Sequence, residues 1–151
     1  MHKVLILGAG KIGSLISGLL ADTGDYEVHV ADVNGELARA VVAAHHLDNL
    51  HAHGFDARDA GALAAHLRAH PVDAVISSLP FYCNIAVAEA ARNAGIHYFD
   101  LTEDVAVTRA VRRLAEGAET AFVPQCGLAP GFISIAANAL IGHFDELRSV
   151  K

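Results

Sequence analysis

The chain has no tryptophan, one methionine, four prolines and two cysteines in 151 residues. Cys83 and Cys126 stand far apart in unrelated contexts, which excludes a disulfide framework and fits a reducing compartment. Stability must come from a packed core, and a chain of this length buries enough surface for one domain without staples. Positive charge is also scarce, with eleven Lys and Arg against seventeen Asp and Glu and a net charge of −6. The densest basic group, Arg109, Arg112 and Arg113, falls on one helix face by its spacing and reads as a solvated face. Nucleic acid, whose backbone demands clustered cations, is not expected as a partner. No stretch approaches the roughly 18 uninterrupted apolar residues of a membrane span. The apolar run at the N-terminus, residues 4–7, is too short for a signal peptide and leads into a glycine, so it reads as a buried strand. A cytoplasmic protein without membrane contact is the expectation.

What the chain has in quantity is apolar residues, 53% of the total at a mean hydropathy of +0.35, arranged in two alternating patterns. Short continuous runs of the kind buried on both faces of a parallel sheet fall at 4–7, 27–31, 50–55, 72–77, 96–101 and 120–124. Between them, alanine-rich segments with helical spacing fall at 11–22, 35–46, 59–70, 82–94, 104–116 and 131–142. In the first of these, Ile12, Leu15, Ile16, Leu19 and Leu20 form one stripe. Asn34 is placed to cap the second helix, Pro71 ends the third, and Gly95 suits a left-handed C-cap. Six strands alternating with helices imply an α/β doubly wound parallel sheet of Rossmann type, strand order 3-2-1-4-5-6, as one domain over residues 1–151.

The first strand runs into Gly8-Ala9-Gly10-Lys11-Ile12-Gly13, a G-x-G-x-x-G turn opening a helix. Gly8 permits the tight turn, Gly10 lets a pyrophosphate approach the backbone, and Gly13 lets the helix pack close to the sheet. The helix N-terminus offers unpaired N–H groups and a partial positive charge to phosphates. Asp32, 19 residues beyond Gly13 at the end of the next strand, is placed to accept hydrogen bonds from the adenine-ribose hydroxyls. The same carboxylate repels a 2′-phosphate, and Val33-Asn34 supplies no arginine in its place. NAD is therefore expected over NADP.

Ligands of such sheets lie beyond the carboxyl ends of the strands. After the third strand, Asp56-Ala57 either touches the adenine or is a helix-capping or turn aspartate. After the fourth, Ser77-Ser78-Leu79-Pro80 either passes the nicotinamide-side ribose or forms a simple turn. The fifth ends in Asp100-Leu101-Thr102-Glu103-Asp104. Its three carboxylates either face a cationic substrate such as an amine or start the next helix, and Asp104 suits the helix start. Thr102, Glu103 and, from the loop after the sixth strand, Cys126 are the substrate-side candidates. After the sixth strand, Pro124-Gln125-Cys126-Gly127-Leu128-Ala129-Pro130-Gly131-Phe132 makes an unusual loop, where Cys126 is either a low-pKa thiol or a small packing residue. Among the ten histidines, His51 and His53 share a strand face and His45 and His46 close a helix. No set shows zinc spacing, so surface histidines and no metal are expected.

Together the segments 3–13, 77–80, 95–101 and the C-G-x-A-P-G turn at 126–131 resemble the saccharopine dehydrogenase family, over essentially the whole chain. The turn at 126–131 is the most specific of these. The resemblance implies an oxidoreductase that acts, with NAD or NADP, on a C–N bond of an amino acid or polyamine, through hydride transfer to or from a carbon bearing nitrogen. It also implies that the loops after the fifth and sixth strands face the nicotinamide and the substrate domain. Family members carry a further, mainly β domain that completes the substrate pocket and usually the dimer. The chain is therefore expected to be the cofactor half of a longer enzyme, inactive by itself, with an apolar edge at Phe132, Ile133, Ile135 and Leu140 that promotes association. The alternative is a standalone NAD-binding sensor without catalysis.

Overall fold

The computed structural model describes residues 1–149. Strands β1 (His2–Leu7), β2 (Tyr26–Asp32), β3 (Leu50–Gly54), β4 (Ala74–Ser77), β5 (His97–Asp100) and β6 (Phe122–Val123) alternate with helices α1 (Lys11–Asp22), α2 (Gly35–His45), α3 (Ala60–Ala69), α4 (Asn84–Ala94), α5 (Val105–Ala115) and α6 (Phe132–Ile141). The pairings are parallel throughout, and the strand order is β3-β2-β1-β4-β5-β6, as the alternation predicts.

The continuous apolar run of β1 makes it a central strand. Leu5 and Leu7 on one face join Leu63, Val75 and Val87 beneath α3 and α4, while Val4 and Ile6 on the other join Val28, Val30 and Val41 beneath α2. Complete burial of Leu5, Ile6 and Leu7 contributes about 1.5–3 kcal/mol per side chain. Local cues hold where expected: Asn34 caps α2 by accepting the Glu36 N–H, and Gly95 closes α4 in the left-handed region. Most element boundaries lie within two residues of those read from the sequence, and two of the shifts change an element's make-up. Tyr82 lies in a short 3-10 turn, Phe81–Cys83, ahead of α4. Strand β6 has two paired residues rather than five, Phe122 and Val123 against Tyr98 and Phe99 of β5, and it stops before Pro124, which has no N–H to extend the ladder.

The apolar stripe expected on α1 faces the sheet only in part: Ile16 and Leu20 are half-buried and pack against the core. The helix's buried positions are Gly13, Ser17, Gly18 and Ala21, whereas Ile12, Leu15 and Leu19 are each more than half exposed. A β-carbon on Gly13 would run into the Gly8 carbonyl. The backbone thus comes so close to the turn that only small residues fit directly beneath it; Ile16 and Leu20 pack along the flank, and Ile12, Leu15 and Leu19 turn outward. The apolar residues Phe132, Ile133, Ile135 and Leu140 of α6 are likewise exposed.

The reading of the histidines as scattered surface residues is also corrected. On paired strands β2 and β3, His29 stands opposite His51, and His53 is one alternate position further along the same face. Helix α3 covers that face and brings His66 and its C-cap His70 against them, with His53 4.6 Å from His66 and 4.7 Å from His70 between ring centroids. His29 is buried, its Nδ1 2.9 Å from His53 Nε2. Burial, reinforced by neighbouring imidazoles, lowers the pKa of His29 and holds those of His53 and His66 at about 4, against the ordinary 6.5.

Two outcomes follow for stability. Gly13→Ala should cost roughly 1–3 kcal/mol in denaturant unfolding. Gly10→Ala, whose β-carbon would meet nothing within 4 Å, should cost less than about 1 kcal/mol. Because the folded chain resists protonating these histidines, the stability they contribute is complete above pH 6.5 and is lost as the pH falls toward 4. Unfolding midpoints of chelator-treated protein should therefore drop across that window, with a shallower drop in His66→Phe. Superimposable pH profiles for the two proteins would contradict this.

Candidate cofactor-binding site

The strand order reverses between β1 and β4, and the chain opens a crevice there beyond the strand ends. Gly8 leaves β1 at φ +100°, a conformation that suits glycine, and donates its N–H to the Ala31 carbonyl at 2.8 Å. The Ser78 hydroxyl, from the loop after β4, lies 2.9 Å from the Leu7 carbonyl and 3.1 Å from that of Gly8, clamping the turn from the opposite side. Asp32 secures its other flank. One carboxylate oxygen accepts the Ala9 N–H at 2.8 Å and the other accepts the Asn34 N–H at 2.9 Å.

Side chains of Asn34, Asp59 and Asp104 cap α2, α3 and α5, whereas among the described residues α1, α4 and α6 have no side-chain cap. Of these, α1 is the helix that starts in the G-x-G-x-x-G turn. Its first-turn N–H groups therefore lack a side-chain acceptor, and the space over Gly10 is open. A pyrophosphate fits that combination, since it accepts those donors and sits at the positive end of the helix.

On one side of the turn, a pocket of about 210 Å³ is lined by Asp32, Val33, Phe55, Asp56, Ala57 and Arg58, with Leu79, Pro80 and Tyr82 across from them. Asp59, not Asp56, caps α3. Asp56 is a turn aspartate: its Oδ1 accepts the Arg58 N–H at 2.9 Å. It also receives the Arg58 guanidinium through Nε at 2.9 Å and Nη2 at 2.7 Å, and together these contacts hold its pKa at about 2. Arg58 and Tyr82 were not foreseen, because only the fold brings the loops after β3 and β4 together.

On the other side a cleft of about 770 Å³ lies between Ile12, Ser78, Leu79 and Phe81 and the segment Leu101, Thr102, Glu103 and Asp104, with Ala129 beside them. Ser77 does not face it. It is buried, and its hydroxyl donates to Asn84 Oδ1 at 2.7 Å. Lys11 is exposed at the start of α1 and lines neither pocket.

The three carboxylates after β5 do not form one acidic face. Asp100 is fully buried: Oδ1 accepts the Thr102 and Gln125 N–H groups at 2.9 and 3.2 Å, and Oδ2 accepts the Tyr98 hydroxyl at 2.7 Å. Burial and this contact push the Tyr98 hydroxyl far up. Asp104 caps α5 through the Val107 N–H, and its own N–H donates to Thr102 Oγ1. Glu103 alone is left exposed at the cleft wall. Cys126 lies outside both pockets and contacts the Val123 carbonyl at 3.1 Å. Partial burial of its sulfur and the Asp100 charge raise its pKa, the opposite of an activated thiol.

An anion-accepting turn between a small pocket and an open cleft has the layout of an extended dinucleotide site. Comparison with known proteins gives the same reading. The family model described as the saccharopine dehydrogenase NADP binding domain matches residues 4–123. Apo saccharopine dehydrogenase (L-Glu forming) of Saccharomyces cerevisiae superimposes with a TM-score of 0.81 at 24% identity, covering 95% of this chain and 31% of that one. Prephenate dehydrogenase of A. aeolicus, solved with NAD+, gives 0.62 at 19% identity over 82% of this chain and 41% of its own. The WlbA dehydrogenase of Bordetella pertussis, solved with NADH, gives 0.60 at 19% identity over 81% and 34%. This chain thus spans about a third of the yeast enzyme's length. It is an NAD(P)-binding domain of the dehydrogenase type, and it belongs to the saccharopine dehydrogenase NADP-binding domain family.

Proposed function

We propose that this chain is the cofactor half of an oxidoreductase acting on a C–N bond of an amino acid or polyamine, with NAD as the cofactor. The observation that carries the reading is the uncapped α1 N-terminus at the Gly8–Gly13 turn, flanked by the fixed Asp32 carboxylate, in a chain of this family. In this reading the turn holds the pyrophosphate, and Asp32 accepts the adenine-ribose hydroxyls. Ser78 and Leu79 position the nicotinamide end at the cleft, where a bound nicotinamide supplies hydride exchange. Thr102 and Glu103 stand on the substrate side, Glu103 offering a negative charge to a cationic nitrogen. Substrate recognition is completed by residues of a further domain.

The preference for NAD rests on charge. Arg58 is the cation in the adenosine-side pocket, and its fork is taken by Asp56. That leaves the Asp32 carboxylate against which a 2′-phosphate would be repelled.

Calorimetric titration tests this reading. NAD should bind at least roughly tenfold more tightly than NADP, and Asp32→Ala should erase most of that difference. Gly10→Ala should weaken both dinucleotides while leaving the unfolding midpoint nearly unchanged. Tighter NADP binding would overturn the cofactor assignment, and no binding of either would overturn the site. For the reaction, the full-length gene product should reduce NAD with amino acids or polyamines and not with simple alcohols.

A further inference from the structure

The histidines between the β2–β3 edge and α3 play no part in the dinucleotide site, and their arrangement has a chemistry of its own. We propose that His29, His53 and His70 form a binding site for a single divalent transition-metal ion of zinc type. One ligating nitrogen from each ring lies within 4.8 Å of those of the other two. The three residues come from β2, β3 and the C-cap of α3, so the frame of the site is two adjacent strands and a packed helix.

The donor set selects the ion. Three imidazoles with no carboxylate or thiolate among them suit zinc and its neighbours, and disfavour calcium and magnesium, which take oxygen ligands. Zinc–nitrogen bonds of about 2.0–2.1 Å place tetrahedral ligand atoms about 3.3 Å apart. His29 Nδ1 and His53 Nε2, at 2.9 Å, are already closer than that. His70 is exposed at a helix end, and its ring closes the remaining gap by rotating.

Two further groups fit this role. Glu27 Oε1 lies 3.5 Å from His29 Nε2. A carboxylate there favours the proton on Nε2 and leaves a lone pair on Nδ1, the atom that faces His53. Metal-binding histidines are commonly oriented in this way through their second nitrogen. His66 is packed 4.8 Å from His70 between ring centroids, and its Nε2 is buried with no hydrogen-bond partner among the described residues. Three protein ligands leave a fourth position for water, and His66 Nε2 is an available acceptor for a proton of that water.

The test uses untagged, chelator-treated protein titrated with zinc chloride in a calorimeter, followed by thermal unfolding with and without zinc. One ion per chain should bind with a dissociation constant of roughly 1 µM or tighter, raising the unfolding temperature. His70→Gln, at an exposed position that the fold does not need, should weaken binding at least roughly tenfold, and Glu27→Gln by about 10–100-fold. His143→Gln, a surface histidine elsewhere, should leave it unchanged. Cobalt in place of zinc should give the intense visible absorption of a four-coordinate ion. Absence of saturable binding, or binding that survives both His53→Gln and His70→Gln, would overturn the proposal. The titration needs no dinucleotide, so its outcome is separate from that of the cofactor assignment.

Discussion

The close approach of α1 to the end of β1 governs the site more than any other contact. It depends on a missing side chain, since a β-carbon at Gly13 would collide with the Gly8 carbonyl. Because the helix sits so near, its first turn lies directly beyond the strand, and among the described residues no side chain caps its N–H groups. The buried face of α1 must then be small, as Gly13, Ser17, Gly18 and Ala21 are. The same constraint turns Ile12 toward the cleft, where it forms part of the wall.

The rest of the carboxyl edge is held by polar groups that satisfy one another, as burial requires. Ser78 ties the loop after β4 to the glycine turn, and Asp32 ties the end of β2 to the same turn. Asp100 joins the loops after β5 and β6 by accepting backbone N–H groups from each. These carboxylates differ in what they leave available. Asp100 is spent on structure, Asp56 is paired with Arg58, and Asp32 stands beside the open pocket.

Much of this was legible because it is local. The run 4–7, the glycine spacing and Asn34 each carry their meaning within a few residues, and strand order follows from right-handed crossovers. The outward turn of Leu15 and Leu19 was not legible, because helical spacing reports a stripe and not which face the sheet accepts. Asp100, Thr102 and Glu103 look alike as a polar run, and only burial separates the structural carboxylate from the exposed one. The convergence of Arg58 with Asp32, and of His29 with His53 and His70, depends on pairing across the sheet, which spacing along the chain does not encode. His51 and His53 gave half of that pattern; the register to His29 gave the other half.

The central claim is that a dinucleotide lies along the crevice with its pyrophosphate on the α1 turn. Amide chemical-shift mapping of isotope-labelled protein during titration with NAD tests it most directly. The account predicts saturable shifts at residues 8–13, at Asp32 and Val33, at residues 55–58 and at Ser78 and Leu79, with α2 and the outer face of α5 unmoved. Shifts centred away from the glycine turn, or none at all, would contradict it.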